Sequence, residues 1–303
     1  MKNFSRVYKK EDNYKLPKEI KLAKYAGFCY GVKRAVDSVK NLKSENPDCS
    51  ICVLGELIHN TQVIDELNNA VIRTITELPL KGEGICVVRT HGESPKVFED
   101  IKNCGFSLVD LTCPDVKKVQ EKAIELVQGG YYLVIVGKSE HPEVVAIKAN
   151  ALQYGDKVLV ADSVDQLSPY ENDLKLHKKV GVVVQTTQMQ STLKTVIDYL
   201  LPVSKELLVV NTICQSTSKR QTEAKELAKN SDLMIVVGSK KSANTTHLAQ
   251  ILENITKTIH IETSDELEKY KDLVEKSERI SVTAGASTPQ SIINDVVKKI
   301  EIE

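Results

Sequence analysis

The chain has 303 residues, which suggests about two domains at roughly 150 residues each and admits one or three. Its composition is 41% hydrophobic and 27% charged with 14 Gly and 9 Pro, which excludes disordered, collagen-like and coiled-coil proteins. The 41 basic residues equal the 41 acidic residues, so no positive excess is available to hold a phosphate backbone. We therefore predict no nucleic-acid partner.

The same composition bears on cellular location. No apolar stretch approaches the ~20 residues that span a bilayer, and the first residues carry charge but no apolar signal core. We predict a cytoplasmic protein without a membrane partner. In that reducing compartment, seven cysteines favour metal binding or reactivity over disulfides.

The predicted elements form a pattern that occurs three times along the chain. The apolar runs LAKYAGFC, SLVDLTC and LLVVNTIC end at Cys29, Cys113 and Cys214, and a helical pattern follows each cysteine. Three further strands then follow in the same order in each repeat. They are ICVLGE, AVIRTI and GICVVR, then YYLVIVG, KVLVAD and VGVVVQ, then LMIVVG, TIHIE and RISVT.

The repeat length predicts the domain organisation. Successive cysteines are 84 and then 101 residues apart, which is too long for a solenoid, so we predict three α/β units of four mostly parallel strands. The units span 22–112, 113–210 and 211–303 after an N-terminal extension of 1–21, and the first strand, 22–29, is expected to pack with the first or the third unit. Ligands of parallel sheets bind beyond the carboxyl ends of the strands. Three units around a pseudo-threefold axis would bring these ends to one cavity.

Three converging thiols indicate a metal centre with an open position. They are one short of the four thiolates usual for an electron-transfer cluster or a structural zinc ion. An open position is what a catalytic metal needs to bind a substrate oxygen. Zinc with a bound water and an iron–sulfur cluster are both compatible with three thiolates. The other thiols, Cys49, Cys52, Cys86 and Cys104, are interpreted as packing residues, because CSIC leads into a strand and not into a helix.

Polar residues follow the second and fourth strands of each repeat at matching offsets. They are His59, His91, His141, Thr186, Thr187, Ser242, Asn244 and Ser287. Imidazoles, hydroxyls, amides and helix-start N–H groups form a shell of donors suited to a compact polyanion such as a diphosphate. The other histidines, His177, His247 and His260, are interpreted as lying outside the site.

One carboxylate lies close to this shell. Glu143 is two residues from His141 in the motif HPE. Beside a bound anion and a metal it could hold and deliver a proton as a general acid. The alternative is that it only caps a helix N-terminus.

Taken together, these motifs resemble the 4-hydroxy-3-methylbut-2-enyl diphosphate reductase family, in order from about Leu22 to the C-terminus. The motifs are GFCYGVKRAV, ELIHN, RTHGES, DLTCPDVKKV, HPEV, QTTQ, NTICQSTSKRQ, GSKKSAN and TAGASTP. The resemblance implies a monomeric trefoil of three α/β units around a [4Fe–4S] cluster. It also implies that Cys29, Cys113 and Cys214 bind this cluster and leave one iron open.

The resemblance further implies roles for the polar residues. The diphosphate pocket maps onto His59, His91, His141, Ser242, Asn244 and Ser287, with Thr187 and Ala243 beside them. Thr186 matches the threonine near the substrate hydroxyl, and Glu143 matches the proton donor. The substrate would lose this hydroxyl with two electrons from a ferredoxin or flavodoxin, giving isopentenyl or dimethylallyl diphosphate.

Two departures from the family pattern and two other functions are noted. Ala243 stands where a serine is common, which removes one hydroxyl but keeps a backbone N–H, and Val145 and Ala146 follow HPE where Glu-Gly is frequent. One alternative function is a dehydratase that uses the open iron only as a Lewis acid. The other is a sensor that binds a cluster and a diphosphate without converting it.

Overall fold

The computed structural model describes residues 18–302, which form three sheets of four strands each. Every strand pair in these sheets is parallel, and helices connect most of the strands. The prediction of an α/β fold with three four-stranded units is therefore confirmed. None of the helices within the described range is long and apolar enough to cross a membrane.

The first sheet has the order β3-β2-β4-β5. Its strands are β2 (Ile51–Leu54), β3 (Ile72–Ile75), β4 (Ile85–Val88) and β5 (Ser107–Asp110). Its helices are α1 (Tyr30–Glu45), α2 (Thr61–Asn69) and α3 (Pro95–Asn103).

The second sheet has the order β7-β6-β8-β9. Its strands are β6 (Tyr132–Val136), β7 (Val158–Ala161), β8 (Lys179–Val184) and β9 (Glu206–Val209). Its helices are α4 (Pro114–Gln128), α5 (Pro142–Ala151), α6 (Val164–Leu167), α7 (Glu171–His177) and α8 (Gln190–Val203), with a 3₁₀ turn at Ser168–Tyr170.

The third sheet has the order β1-β12-β10-β11 and so includes the first strand of the chain. Its strands are β1 (Glu19–Leu22), β10 (Leu233–Val237), β11 (Thr258–Ile261) and β12 (Arg279–Ala284). Its helices are α9 (Gln215–Ala228), α10 (Ala243–Glu253), α11 (Lys271–Lys276) and α12 (Gln290–Ile302), with a 3₁₀ helix at Ser264–Tyr270.

The first strand lies earlier in the chain than the sequence predicts. The predicted strand covers 22–29, whereas β1 ends at Leu22, so the extension of 1–21 contains most of this strand and otherwise lies outside the described residues. The strand ends because Glu223 accepts the N–H groups of Lys24 and Tyr25, at 2.8 Å each, in place of a ladder partner. The remaining residues to Cys29 form a turn and a loop that crosses from the third unit to the first.

The burial of the central strands explains why the sequence pattern predicts them. All residues of β2, β6 and β10 are buried, as expected for strands with helices on both faces of a parallel sheet. Such strands appear in the sequence as short continuous apolar runs bounded by polar loops. The rigid sheets place these loops, and the helix starts that follow them, on one side of each unit.

Candidate active site

Each cysteine singled out in the sequence caps a helix. Cys29, Cys113 and Cys214 are the N-caps of α1, α4 and α9, and all three have extended backbone. The Cys29 sulfur accepts the N–H of Val32 at 3.5 Å. The Cys214 sulfur accepts the N–H of Thr217 at 3.3 Å. The positive ends of three helix dipoles therefore face the sulfurs and favour negative charge there.

Gly31 lies between two of these sulfurs. A Cβ on Gly31 would lie 2.7 Å from the Cys113 Sγ and 4.0 Å from the Cys29 Sγ. Burial raises the pKa of the Cys113 and Cys214 thiols, and a Cys29 thiolate nearby adds to this increase. A metal that binds the thiolates would offset this increase, because it favours release of the thiol protons, as expected of metal ligands.

The spacing of the three sulfurs separates the two kinds of centre left open by the sequence. Within residues 18–302, the only three metal-binding groups whose ligand atoms all lie within 4.8 Å of one another are His59, His91 and His141. At least one pair of the cysteine sulfurs is therefore farther apart. A single tetrahedral zinc ion with bonds of ~2.3 Å would require sulfurs about 3.8 Å apart. The three sulfurs are therefore not spaced for a single zinc ion.

The three histidines form a compact cluster in the same cavity as the cysteines. The His59 and His91 rings stack with centroids 4.6 Å apart, and the His141 ring is edge-on to them at 6.0 and 5.3 Å. His59 and His91 follow β2 and β4 of the first unit, whereas His141 is the N-cap of α5. Two units therefore contribute to one imidazole cluster.

Hydrogen bonds show which ring nitrogens of the three histidines already have a partner. The Nδ1 of His141 accepts the N–H of Glu143 at 3.2 Å, so the neutral ring carries its proton on Nε2. The Nδ1 of His59 lies 2.9 Å from a carboxylate oxygen of Glu56 and donates to it. The Nδ1 of His91 is buried without a partner. This unpaired nitrogen indicates a site built for a polar ligand.

Burial and mutual proximity keep two of these imidazoles neutral. Burial, followed by the neighbouring His59, lowers the pKa of His141 to about 3 and the pKa of His91 well below its usual value. A bound anion would oppose the effect of the neighbouring histidine, because negative charge stabilises the imidazolium form and so raises the pKa.

Glu143 is held by a residue of the next loop. Its carboxylate accepts the Thr186 N–H at 2.6 Å and the Thr186 hydroxyl at 2.7 Å, and only 1% of its surface is exposed. Burial raises the pKa of Glu143 to about 7, despite the opposing effect of both Thr186 donors. The group can therefore carry a proton near neutral pH, which simple helix capping does not require.

The third unit supplies donors with few internal partners. Ser242 is the N-cap of α10, yet its side chain makes no capping hydrogen bond. The Asn244 Nδ2 is buried without a partner. Ser287 donates to the backbone oxygen of His59 at 3.1 Å and joins the third unit to the first. Ala243, the first residue of α10, is buried at the cavity wall.

One cavity of about 100 Å³ brings together all of the site residues that the sequence predicts. Its lining includes Cys29, His59, His91, Cys113, His141, Glu143, Thr186, Thr187, Cys214, Ser242, Ala243, Asn244 and Ser287. The cysteines and Glu143 meet imidazole, hydroxyl and amide donors in the same space. A metal group and an anionic ligand can therefore be held side by side.

The cavity also has wall residues that the sequence interpretation missed. Gly31, Asp115 and Thr217 line it, and each lies within three residues of a predicted cysteine ligand. Helix-capping geometry was the available signal, since the first turn after an N-cap faces the capping atom. His247 does not line the cavity, but its Nδ1 lies 2.9 Å from the Thr187 backbone oxygen and supports that loop.

Another missed residue holds the cysteine loops together. The guanidinium of Arg220, on α9, is buried and donates to the backbone oxygens of Tyr25, Gly27 and Ala284. The contacts to Ala284 and Gly27 measure 2.7 and 2.9 Å. This residue thereby ties the loop before Cys29 to the helix that Cys214 caps.

Comparisons with known proteins identify the family of this chain. The LytB protein family matches residues 20–301. A 4-hydroxy-3-methylbut-2-enyl diphosphate reductase of Caldanaerobacter subterraneus subsp. tengcongensis is 38% identical over 288 residues, which cover 93% of this chain and 96% of that protein.

Two solved structures are also similar. One, of (E)-4-hydroxy-3-methyl-but-2-enyl diphosphate reductase, the terminal enzyme of the non-mevalonate pathway, has a TM-score of 0.70 at 34% identity and covers 94% of this chain and 100% of that chain. The E-1-hydroxy-2-methyl-but-2-enyl-4-diphosphate reductase from Plasmodium falciparum has a TM-score of 0.85 at 25% identity and covers 93% of this chain and 88% of that chain. By sequence and by fold, this chain belongs to the LytB protein family.

Proposed function

We propose that this chain is an iron–sulfur oxidoreductase that removes the hydroxyl of 4-hydroxy-3-methylbut-2-enyl diphosphate. Two electrons and two protons are consumed, water leaves, and isopentenyl and dimethylallyl diphosphate are the products. One observation carries the proposal: cysteines from three units and the Glu143–Thr186 pair share a cavity with a cluster of unpaired polar donors. Its support from outside the structure is the family and the names of the chain's relatives.

The diphosphate end of the substrate is assigned to the imidazole cluster and the start of α10. His141 donates through Nε2, and His59 donates through Nε2 when it is protonated, since its Nδ1–H is directed at Glu56. Ser242 and Asn244 have donors that no other group in the described chain uses. Charge-assisted hydrogen bonds contribute roughly 1.5–3 kcal/mol each, so several of them bind a diphosphate tightly without an arginine.

The hydroxyl end of the substrate is assigned to Thr186 and Glu143. The Thr186 hydroxyl already bonds to the carboxylate at 2.7 Å and lines the cavity, so it can donate to the substrate oxygen while accepting from a protonated Glu143. A carboxyl group whose pKa is raised to about 7 delivers a proton without leaving a strongly unfavourable charge behind. This pair therefore assists departure of the oxygen as water.

Cys29, Cys113 and Cys214 are the residues that would hold a [4Fe–4S] cluster. When bound through three thiolates, such a cluster supplies single electrons and one iron that is open to a substrate oxygen. The chain's part is to fix the three sulfurs at helix starts and to leave no fourth thiolate beside them, since the other four cysteines do not line the cavity.

The test is anaerobic reconstitution with iron and sulfide, followed by turnover with 4-hydroxy-3-methylbut-2-enyl diphosphate and dithionite-reduced methyl viologen. We expect a brown protein with about four irons per chain and both products. A colourless zinc-loaded protein with full activity would contradict the cofactor assignment. Conversion of the substrate without a reductant would indicate a dehydratase instead. Recovery of unchanged substrate from the reduced protein would indicate a sensor instead.

A further inference from the structure

Two buried cysteines outside the active-site cavity lie side by side in the first sheet. Cys52 on β2 and Cys86 on β4 are in-register partners of neighbouring parallel strands. Both belong to one hydrophobic cluster with residues of α3, so their side chains point to the same face of the sheet. Cys86 has no exposed surface, whereas Cys52 is 7% exposed. Both are free thiols.

The two thiols interact with each other. A hydrogen bond from the Cys86 thiol lowers the pKa of the Cys52 thiol, and burial opposes this effect. The same hydrogen bond, followed by burial, raises the pKa of the Cys86 thiol. The thiolate is the nucleophilic form of a cysteine, so Cys52 is the more reactive member of the pair.

A second pocket, separate from the active-site cavity, gives access to Cys52. It has a volume of about 490 Å³, and Cys52 forms part of its wall, whereas Cys86 does not. The charged residues of this wall are two basic and two acidic groups, namely Arg73, Lys81, Glu77 and Glu83. Because these charges balance, the pocket does not select an ion, and a small neutral reagent is the class of molecule that it favours.

The position of the pair links it to the cluster of imidazoles. Cys52 lies two residues before the end of β2, and Cys86 lies two residues before the end of β4. The loops after these strands carry His59 and His91, whose rings stack with centroids 4.6 Å apart. Neighbouring strands hold their residues about 4.8 Å apart, whereas a disulfide requires Cβ atoms about 3.8 Å apart. A bond between the two sulfurs would therefore draw β2 and β4 together and displace the two imidazoles.

We propose that Cys52 and Cys86 form a peroxide-modification site that regulates binding of the diphosphate; the regulatory part rests on the proposed function. The Cys52 thiolate attacks one oxygen of hydrogen peroxide, the O–O bond breaks, and Cys52 becomes a sulfenic acid while hydroxide leaves. The Cys86 sulfur then attacks the Cys52 sulfur, and water leaves with the Cys86 proton. The two sulfurs give up two electrons, and one peroxide becomes two waters, including the proton that Cys52 released earlier.

The experiment treats the reconstituted holoenzyme with hydrogen peroxide, removes the peroxide and blocks the remaining thiols by alkylation. Mass spectrometry of proteolytic peptides then identifies any disulfide. Isothermal titration with inorganic diphosphate, without a reductant, measures Kd before and after oxidation. Cys86→Ala is the test variant. Cys49→Ser is the matched control, because Cys49 belongs to the same CSIC motif but lies outside the strand ladder.

We expect a Cys52–Cys86 disulfide in oxidised wild-type protein and in Cys49→Ser, and its disappearance after treatment with dithiothreitol. Oxidation should raise Kd for inorganic diphosphate about fivefold, the effect expected for loss of one neutral hydrogen bond. Dithiothreitol should restore Kd. In Cys86→Ala, oxidation should leave Kd unchanged, and because peroxide damages the cluster of both proteins alike, this comparison isolates the thiol pair. Reversal by dithiothreitol in wild-type protein tests the same point if Cys86→Ala does not fold.

A folded, oxidised wild-type protein without this disulfide, or with one to Cys104 instead, would overturn the modification site. A Cys52–Cys86 disulfide with an unchanged Kd would overturn its regulatory role. Absence of viologen-driven turnover in untreated holoenzyme would instead overturn the proposed function, and the peptide analysis would still decide whether the thiol pair is oxidised.

Discussion

Two hydrogen bonds join Glu143, in the first turn of α5, to Thr186, in the loop after β8. The carboxylate of Glu143 accepts both the backbone N–H and the hydroxyl of Thr186, at 2.6 and 2.7 Å. Two donors normally stabilise the charged form of a carboxyl group. Burial nevertheless raises the pKa of Glu143 to about 7, so desolvation outweighs both hydrogen bonds.

The first prediction concerns this carboxyl group as a proton source. Glu143→Gln keeps the size of the side chain but removes its acidic proton, so kcat with methyl viologen should fall by roughly 10²–10⁴. Cluster content and diphosphate affinity should stay near the wild-type values. Glu140→Gln, at an exposed position in the same loop, is the control. A Glu143→Gln enzyme with near-normal kcat would reduce Glu143 to a helix cap.

The second prediction is the pH dependence of the same step. The protonated form of Glu143 dominates below its pKa of about 7 and is lost as the pH rises through that value. Viologen-driven kcat should therefore fall on the alkaline side, at about pH 7 or higher, because the bound diphosphate adds negative charge that raises this pKa further. A kcat profile between pH 6 and 9 that stays flat would argue that another group supplies the proton.

The third prediction uses the stability of the ligand-free protein. The folded state holds His91 with a pKa well below its usual value, so the unfolded state binds more protons below about pH 6.5. Stability therefore falls as the pH falls through this range. His91→Asn should reduce the slope of unfolding free energy against pH by up to about 1.4 kcal/mol per pH unit, measured by urea denaturation between pH 7.5 and 5.

His177→Asn is the matched control for that measurement. His177 is half-buried at the end of α7, where its Nε2 lies 3.0 Å from the Gly130 oxygen. Its replacement gives the comparison slope for a histidine that does not line the cavity. Equal slopes in wild-type protein and His91→Asn would mean that His91 is not held neutral.

The fourth prediction tests the space around the sulfurs. Gly31→Ala places a Cβ 2.7 Å from the Cys113 Sγ, so the sulfur must move. Iron and sulfide content after reconstitution should fall severalfold. The melting temperature of the cluster-free protein should change little, because alanine has a higher helix propensity than glycine. Ser44→Ala, at an exposed site of the same helix, should leave iron content intact. Full iron content in Gly31→Ala would show that the sulfurs do not depend on this gap.

The fifth prediction addresses the missing hydroxyl. Ala243→Ser adds a donor at the first residue of α10, beside Asn244 in the cavity wall, where the helix dipole favours anions. KM for the diphosphate substrate should fall about tenfold or more with kcat unchanged, since one hydrogen bond to a charged group is worth roughly 1.5–3 kcal/mol. Ala243→Cys, of similar volume but a weak donor, should behave as wild type. A higher KM in the serine variant would indicate that the wall has no room for the hydroxyl.

The sequence predicts much of the fold because its signals are local. Short continuous apolar runs such as Tyr132–Val136, bounded by turn residues, favour buried strands over helices, and every predicted strand except the first is found in place. The convergence of three cysteines follows from one general rule about strand ends. Cytoplasmic location and a monomeric state are properties outside the fold, and they stay predictions.

Features that depend on distant contacts were not predictable in the same way. The end of β1 is set by Glu223, which lies about two hundred residues away, and nothing within the run LAKYAGFC signals this partner. The buried guanidinium of Arg220 donates to three backbone oxygens, two in the loop before Cys29 and one at the end of β12, and no local pattern in α9 signals these partners.

The placement of β1 has a consequence for biosynthesis. Glu19 pairs with Arg279, so β1 must wait for its neighbour until some 260 further residues have been made. Cys29 follows that strand, and its position is therefore settled only after the C-terminal unit has folded. Insertion of a metal group through all three thiols must come after translation of β12, and a nascent chain arrested before that point would remain unable to hold it.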